Sequence, residues 1–490
     1  AGNADVDWNF SHSNNLGLTF DIANPKQSSV HLYISVKDKN GKAQHRSVAV
    51  SANSSKRYLL ELSGPDLEIE TGIRSNPYSW LDDYQPIIWR HGDKQIDLAN
   101  VTSIEFKVVG VPENKHLIFK NIKTVTPSET DKNYLIGLVD EFGQNAKVNF
   151  INKVNSTSEL IAISNKEQDH LTLNNFGDRS KFNGWKNGPK LEATGFYRVD
   201  KYQDKWTLVD PEGYLFYSNG IANIRMANTS TITGYDFDQQ QIVQRQPGDL
   251  TPEDSIGLNR APKEAWQSRH VSSALRANMF TWLPSYQSEF GQHFGYRREV
   301  HTGAIDRGET YSFYQANLAR KYQTDNLALA EKKWRETTIK RMQSWGFTSF
   351  GNWVDPSFYE MKQYPYFANG WIIGDFKTVS SGNDYWSPLP DPFDPEFKVR
   401  AQETVKQVSI EVKNSPWCVG VFIDNEKSWG QMGSVTSQYG VPLSALKMRR
   451  TDSPSKSHFS QLMKEKYNTI KAINKAWNIN LESWEDFDAG

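Results

Sequence analysis

The sequence predicts two folds in series: an N-terminal β-sandwich of jelly-roll type, then an α/β region of (β/α)8 TIM-barrel type. Three observations predict this. Short apolar or alternating runs separated by turn residues fill residues 1–125. From residue 191 apolar runs alternate with stretches of helical period, the order expected of parallel β/α units. Finally, Val419-Gly420-Val421-Phe422-Ile423 breaks off into Asp424-Asn425-Glu426, as a buried parallel strand does where its carboxyl end opens into a polar crevice. At roughly 150 residues per domain, 490 residues imply two or more. The boundaries expected are a sandwich over 1–125, a connector over 126–190 and the barrel region over 191–490.

The N-terminal strands are expected at 16–22, 30–36, 46–50, 58–62, 103–109 and 117–125. Asn24-Pro25, Lys39-Asn40-Gly41 and Ser63-Gly64-Pro65 supply turns between them. Trp80, Tyr84 and Trp89 fall in a loop-like stretch and are the aromatic side chains there that suit a ligand surface. A sandwich ahead of a barrel reads either as a carbohydrate-binding module or as a buttress. Residues 126–190 are polar and irregular, a connector wrapped on the surface through Leu135, Ile136 and Leu138.

In the second region Phe196–Val199 and Trp206–Val209 read as a hairpin, and Tyr214–Gly220 as a first barrel strand. Met279–Leu283, Phe347–Phe350 and Val419–Ile423 are the next three strand candidates. Steps of three or four through Leu327, Ala330, Trp334, Thr338, Met342 and Trp345 predict a helix ending at Gly346. Asp394-Pro395-Glu396 starts another, with Asp as N-cap and Pro in the first turn. A last helix is expected from Ser455 to Trp477. The long segments 284–325 and 354–392, rich in Tyr, Phe and Trp, belong on the face that shapes a cleft. By this count the strand at 419–423 is the fourth, and only 64 residues (490 minus 426) follow Glu426. Four more units of roughly 30 residues would need roughly 120, so the barrel is expected to be incomplete at the carboxyl end of these residues.

Composition narrows the partners. A formal net charge of −1 gives no electrostatic footprint for nucleic acid or an acidic membrane surface. No apolar run is long enough to span a bilayer. The start, Ala1-Gly2-Asn3-Ala4, has neither the basic nor the apolar region of a signal peptide. The one cysteine, Cys418, precedes the fourth strand as a small buried side chain. No Cys/His metal spacing, HExxH, GxSxG or phosphate loop occurs, so neither a catalytic metal nor a cofactor is expected. The 16 Trp are more than a core requires and point to aromatic platforms for the C–H faces of sugar rings.

An Asn-Glu pair at a barrel strand end, with Trp429 three residues on, fits glycosidic cleavage. That reaction needs two carboxyl groups astride the bond, one protonated and one ionised. Glu426 is the acid/base candidate, Asn425 a ligand for a sugar hydroxyl, and Trp429 a subsite floor. Asp424 is read as support for the strand end. Asn219, Trp282, Asn352, Trp353 and Asp355 stand at the other expected strand ends, and His301 and Arg225 in loops. Substrate binding is expected of Asn219, Trp282, Asn352, Trp353 and His301.

Three stretches resemble glycoside hydrolase family 50, the β-agarases: Val421–Gly430, Gly346–Trp353 and Trp206–Gly213. The tail from Tyr467 to Trp484 is similar to related barrel glycosidases that include β-galactosidases. The resemblance implies a carbohydrate-binding-like sandwich before a (β/α)8 barrel, and a secreted or periplasmic enzyme. It implies retaining hydrolysis of β-1,4 bonds in agarose and neoagaro-oligosaccharides, often from chain ends with release of neoagarobiose. Asn425 and Glu426 take the clan's substrate-binding and acid/base positions; its nucleophile, a Glu after strand 7, is expected beyond residue 490. A β-galactosidase-like glycosidase and a non-catalytic saccharide-binding protein are the alternatives.

Overall fold

The computed structural model describes the chain apart from residues 1–7, 13–15, 64–83, 88, 94, 109–113, 127–131, 172–175, 302–304 and 432–434. The chain divides into two units. One is Ala1–Val148 with Val271–Leu283 and Thr302–Asp306; the other is Asn149–His270 with Pro284–His301 and Arg307–Gly490. The residues expected to form a connector are thus shared between the two units.

Among the described residues the first unit carries β1 (Gly17–Asn24), β2 (Val30–Asp38), β3 (Ala43–Val50), β4 (Ser54–Glu61), β5 (Tyr84–Pro86), β6 (Trp89–Gly92), β7 (Val101–Val108) and β8 (Ile118–Val125). They form two four-stranded sheets, β5-β4-β1-β8 and β6-β3-β2-β7. The pairs β1–β8, β2–β7, β3–β6 and β4–β5 nest inside one another, the rolled-up pairing of a jelly roll. Period-two alternation builds the core: Leu18, Phe20 and Ile22 of one sheet meet Leu32, Ile34 and Val36 of the other. Phe20 sets its edge against Phe106 with ring centroids 5.4 Å apart. The stretch read as an aromatic loop supplies β5 and β6, too short to show a period. Trp80 lies outside the described residues.

Met279–Leu283 is not a barrel strand. It belongs to the first unit, where Phe280 bridges Val139 in parallel and Val139 N–H donates to Met279 O at 2.8 Å. Its apolar run fills a local core with Leu135. Periodicity could not tell such a buried segment from a strand.

The second unit opens with a helix inside the expected connector, α1 (Thr157–His170), capped by Ser156. A meander follows: β9 (Arg198–Tyr202), β10 (Lys205–Val209) and β11 (Leu215–Phe216) are antiparallel. Gln203 and Asp204 make the hairpin turn, with φ of 48° and 61°. The expected first barrel strand is therefore split. Leu215–Phe216 closes the meander, and the parallel strand is β12 (Gly220–Ile221).

Strands β13 (Thr231–Ile232), β14 (Phe294–Arg297) and β15 (Gly308–Tyr311) form an antiparallel sheet between β12 and the helices α2 (Phe313–Tyr322) and α3 (Leu327–Ser344). Fully buried Glu309 anchors this insertion. It takes two bonds from Arg269 at 2.6 and 2.9 Å, one from Tyr286 Oη at 2.7 Å and one from Thr233 Oγ1 at 2.7 Å.

The main-chain path then returns to the parallel strands: β16 (Ser349–Phe350), helix α4 (Ser357–Met361), β17 (Tyr366–Gly370), helix α5 (Pro395–Val412) and β18 (Cys418–Ile423). Strands β12 and β16 pair in parallel, as do β17 and β18. Phe350 N–H bonds to Pro365 O at 2.8 Å, joining the two pairs. Val419–Ile423 is the fourth parallel strand along the chain, but the set is 220–221, 349–350, 366–370 and 418–423. Among the described residues the sheet is not closed.

Helices cover the outer side. Trp334, Met342, Phe358 and Tyr359 pack with Phe350, Tyr366 and Ala368 in one buried cluster. Trp345, expected on that stripe, is more than half exposed because α3 ends before it. Asp394 caps α5, accepting from Glu396 N–H at 2.9 Å. The expected last helix is two: α6 (Pro454–Tyr467) and α7 (Ile470–Trp477), broken at Asn468 with φ of 56° and restarted by the Thr469 cap. The short helix α8 (Trp484–Ala489) follows.

Glu167 of α1 clasps Arg341 of α3 through two bonds of 2.6 and 2.7 Å. Burial raises the Glu167 carboxyl, and Arg341 more than offsets this, so its pKa lies below the ordinary 4.5. The pair's contribution is therefore present above the ordinary value and lost as pH falls through the lowered one. Glu167→Gln is expected to lower stability at pH 7 by about 1–3 kcal/mol in urea denaturation. The deficit should shrink as the pH falls below 4.5.

Candidate functional site

The parallel strands end in one hydrogen-bonded seam. Gly351 N–H donates to Ile221 O at 2.9 Å, Asn223 N–H to Asn352 O at 2.8 Å, and Asp355 N–H to Ile224 O at 2.8 Å. Across the next gap Trp353 N–H reaches Asn369 Oδ1 at 2.6 Å. Asp424 N–H then donates to Gly370 O at 2.9 Å, and Ile372 N–H to Asp424 Oδ1 at 2.9 Å. Side-chain oxygens of Asn369 and Asp424 thus take over where strand pairing stops. At Gly220 a Cβ would lie 2.3 Å from Ser349 O, so glycine permits the approach of the first pair.

Left-handed backbone recurs at these strand ends. Asn223, Trp353, Asp424 and Glu426 have φ of 65°, 57°, 58° and 49°. Asn and Asp tolerate that region; for Trp and Glu it costs about 1–2 kcal/mol, and such strain gathers at functional sites. Alternation of the two left-handed residues around Asn425 turns the chain sharply out of β18.

Glu426 is exposed and held from one side. Trp386 Nε1–H donates to its Oε2 at 2.6 Å. Trp386 in turn meets the His301 ring at 4.7 Å and Tyr385 edge-on at 4.9 Å. Two more bonds pin the same loop to the strand end: Lys427 Nζ to Ser387 Oγ at 2.8 Å, and Asn383 Nδ2 to Ser428 Oγ at 3.3 Å. Trp429 is 72% exposed. The rings of Trp386, His301 and Tyr385 and the Glu426 carboxylate are therefore neighbours.

Beside the seam lies a cavity of about 580 Å³, a size suited to a small ligand. Arg225, Trp353, Asp355, Asn369, Trp371 and Glu411 are among the residues lining it. Arg225 is held by Asn223 Oδ1 at 2.7 Å and Ser255 Oγ at 3.1 Å. Burial lowers its guanidinium pKa. Among the described residues no group of three or more His, Cys, Asp or Glu side chains is placed to hold a metal ion. Among them, too, no helix is long and apolar enough to cross a membrane.

Comparison with known proteins bears on this geometry. The family described as an agarase CBM-like domain matches residues 3–135. Beta-agarase B of Vibrio sp. (strain JT0107) is 35% identical over 494 residues, which are 98% of this chain and 49% of that protein. Beta-agarase A of the same strain is 29% identical over 514 residues, 98% of this chain and 46% of that one. A solved exo-beta-agarase superposes with a TM-score of 0.95 at 46% identity, covering 99% of this chain and 66% of its own. The structure of PfGH50B superposes with a TM-score of 0.91 at 48% identity, covering 99% of this chain and 67% of its own.

The chain belongs to glycoside hydrolase family 50. It spans about half the length of the curated relatives it matches.

Within this family 50 fold the residues singled out from sequence fall in three places. Asn425, Glu426 and Trp429 follow β18, and His301 joins them through Trp386. Asn352 and Trp353 follow β16; Trp353 lines the cavity, and Asn352 offers its carbonyl to the seam. Asn219 sits at the opposite end: it precedes β12, its N–H bonded to Thr348 Oγ1 at 2.7 Å, and Asn223 follows the strand instead. Trp282 belongs to the first unit. Sequence reasoning did not single out Trp386, Asn369 or Asn223. Trp386 lies in the aromatic segment 354–392, but nothing in its spacing separates it from neighbouring rings.

Asp424 gives the site a pH signature. Burial raises its carboxyl above the ordinary 3.8, against the Ile372 N–H and Lys427. The folded state then favours the neutral form, so stability falls as pH rises from 3.8 through the raised value. Asn cannot titrate and can still accept from Ile372. Asp424→Asn is expected to melt with the wild type below pH 3.8 and about 2 °C above it at pH 7, read from thermal unfolding at both pH values.

Proposed function

We propose that the protein hydrolyses β-1,4 linkages of agarose and neoagaro-oligosaccharides with retention, working from chain ends and releasing neoagarobiose. The observation that carries this reading is the Asn425-Glu426 pair on the end of the fourth parallel strand, with Glu426 fixed by the Trp386 indole. The similarity to beta-agarases and to an exo-beta-agarase supports the substrate class and the exo mode.

In this reading Glu426 protonates the glycosidic oxygen and later activates water. The indole occupies Oε2, which leaves Oε1 for the leaving group. Asn425 binds a sugar hydroxyl, a contact that strengthens as the ring flattens toward the oxocarbenium state. Exposed Trp429, with the Trp386–His301 pair, receives the flanking rings. Retention needs a nucleophilic carboxylate about 5–5.5 Å from Glu426. We assign it to a Glu outside residues 1–490, in strands that continue the parallel sheet into a (β/α)8 barrel. The apolar side chains of Val421, Phe422 and Ile423, each more than 40% exposed on β18, support such a continuation. A gel-forming polymer must be met outside the cell, and soluble neoagaro-oligosaccharides can be met in the periplasm, so the site of action we assign is extracellular or periplasmic.

The test uses the protein with its complete barrel. Wild type should release neoagarobiose from agarose, with the product first appearing in the β-anomeric form by NMR. Glu426→Gln should lower kcat by about 10³-fold or more, the scale of losing an acid/base group. Trp386→Phe keeps the ring but removes the donor, and should lower kcat about tenfold with KM nearly unchanged. Agarose left uncut by wild type, or an unchanged rate in Glu426→Gln, would overturn the assignment. Turnover of simple β-galactosides without agarose cleavage would favour a β-galactosidase-like enzyme.

A further inference from the structure

Trp386 stands on an exposed loop, yet its indole N–H is aimed at one carboxylate oxygen of Glu426. Its contacts with His301 and Tyr385 are ring against ring and do not by themselves direct an N–H. The direction of that bond is therefore set by the backbone that carries the ring. The backbone is a hairpin loop, closed by Thr378 opposite Pro390 and Val379 opposite Leu389.

Asp384 organises this loop. Its Oδ2 accepts from Ser380 Oγ at 2.5 Å, and its Oδ1 from Ser381 N–H at 2.8 Å and Ser381 Oγ at 3.0 Å. Both hydroxyls extend the network. Ser380 Oγ accepts from Gly382 N–H at 3.0 Å, and Ser381 Oγ from Asn383 N–H at 3.1 Å. One carboxylate thus closes a turn in which Gly382 takes φ of 77°. Burial pushes the Asp384 carboxyl up and these bonds more than offset it, so its pKa lies below the ordinary 3.8. The turn is also seated. Ser381 is 1% exposed, and a Cβ at Gly440, the first residue of the helix Gly440–Lys447, would collide with Ser381 O. Asn383, Trp386 and Ser387, which reach Ser428, Glu426 and Lys427, all lie within three positions of Asp384.

We propose that Asp384 is a positioning residue for hydrolysis: by closing the Ser380–Asp384 turn it aims the Trp386 indole at Oε2 of Glu426 and keeps Oε1 turned to the leaving group. This role rests on the hydrolytic reading above. It is exercised at second hand, since the Asp384 oxygens bond within the loop. Opening the turn should cost about tenfold in kcat, the scale expected for removing the indole donor, because both act through the same bond.

The test uses the protein with its complete barrel, labelled with fluorotryptophan and followed by fluorine NMR. Trp386→Phe identifies the Trp386 resonance, and Glu426→Gln should move it, since the indole then meets an amide. Asp384→Ala should move the same resonance toward its position in urea and lower kcat about tenfold, with KM nearly unchanged. Asp384→Asn keeps an acceptor for Ser381 and a polar partner for Ser380, and should restore most of both. In the Trp386→Phe background, Asp384→Ala should lower kcat by less than about threefold more. Ser380→Ala with Ser381→Ala opens the turn from its other side and should give the same shift, which covers the case that Asp384→Ala fails to fold. Thermal unfolding shows which variants are folded. An unmoved Trp386 resonance in folded Asp384→Ala or in the serine pair overturns the proposal, as do kcat losses that multiply in the double variant. If agarose is cut and the resonance stays in place, the role of Asp384 alone is refuted. If wild type leaves agarose uncut, the hydrolytic reading falls, and the resonance still decides whether Asp384 sets the contact between Trp386 and Glu426.

Discussion

The candidate site depends on a substitution of partners at the strand ends. A parallel ladder satisfies backbone groups only while strands run side by side, and each strand here must leave its neighbour to make a loop. Asn369 and Asp424 solve this with side-chain oxygens, one for Trp353 N–H and one for Ile372 N–H. Those two bonds stabilise left-handed turns that the chain would otherwise avoid. Burial of Asp424 is the energetic cost, visible in a carboxyl displaced toward its neutral form. Asn425 takes its placement from that turn, and Glu426 from the turn together with the bond from Trp386.

Behind the seam the outer faces of the same strands are wedged against helices. Tyr359 of α4 stacks on Tyr366 of β17 at 4.2 Å, and Phe358 meets Phe350 of β16 at 4.8 Å. Gly370 fits the same logic: a Cβ there would come within 2.9 Å of Val408 on α5. Packing therefore fixes the height of each strand end, and the seam fixes its direction. Rigid elements below with an aromatic loop above form an arrangement that can hold a carboxyl to fractions of an ångström.

Much of this was legible because the physics was local. Alternation of Val30, Leu32, Ile34 and Val36 announced β2, and Asp394-Pro395-Glu396 announced α5, since caps and period-two burial act within a few residues. The apolar run into Asp424 marked the end of β18 for the same reason. What stayed hidden was decided at long range. Tyr366-Phe367-Ala368-Asn369-Gly370 ends in Asn and Gly and carries no β-branched residue, so it does not read as a barrel strand; pairing with β18 makes it one. Met279–Leu283 shows the converse, an apolar run spent on a local core. The count of four parallel strands therefore agreed while one member was wrong and another was unrecognised. Asn219 lies four positions before Asn223: Gly220 and Ile221 are the strand, so the residue read as its exit is its entrance. Trp386 meets Glu426 across 40 residues, beyond any sequence period.

The asymmetry around β18 explains why that distant tryptophan matters. Among the described residues β18 is paired along one edge only, with β17. Val421, Phe422 and Ile423 are correspondingly exposed, so one flank of the strand that carries Asn425 and Glu426 lacks the support the other has. The loop at 383–387 compensates. Its bonds to Glu426, Lys427 and Ser428 hold three consecutive residues just beyond the strand. Two of these bonds are side chain to side chain at an exposed surface, where each alone contributes about 0.5–1.5 kcal/mol. Together with the Trp386–His301–Tyr385 cluster they become cooperative, because losing one contact frees a loop that also carries the others. Position of the carboxyl is thus set jointly by a seam on one side and an aromatic loop on the other.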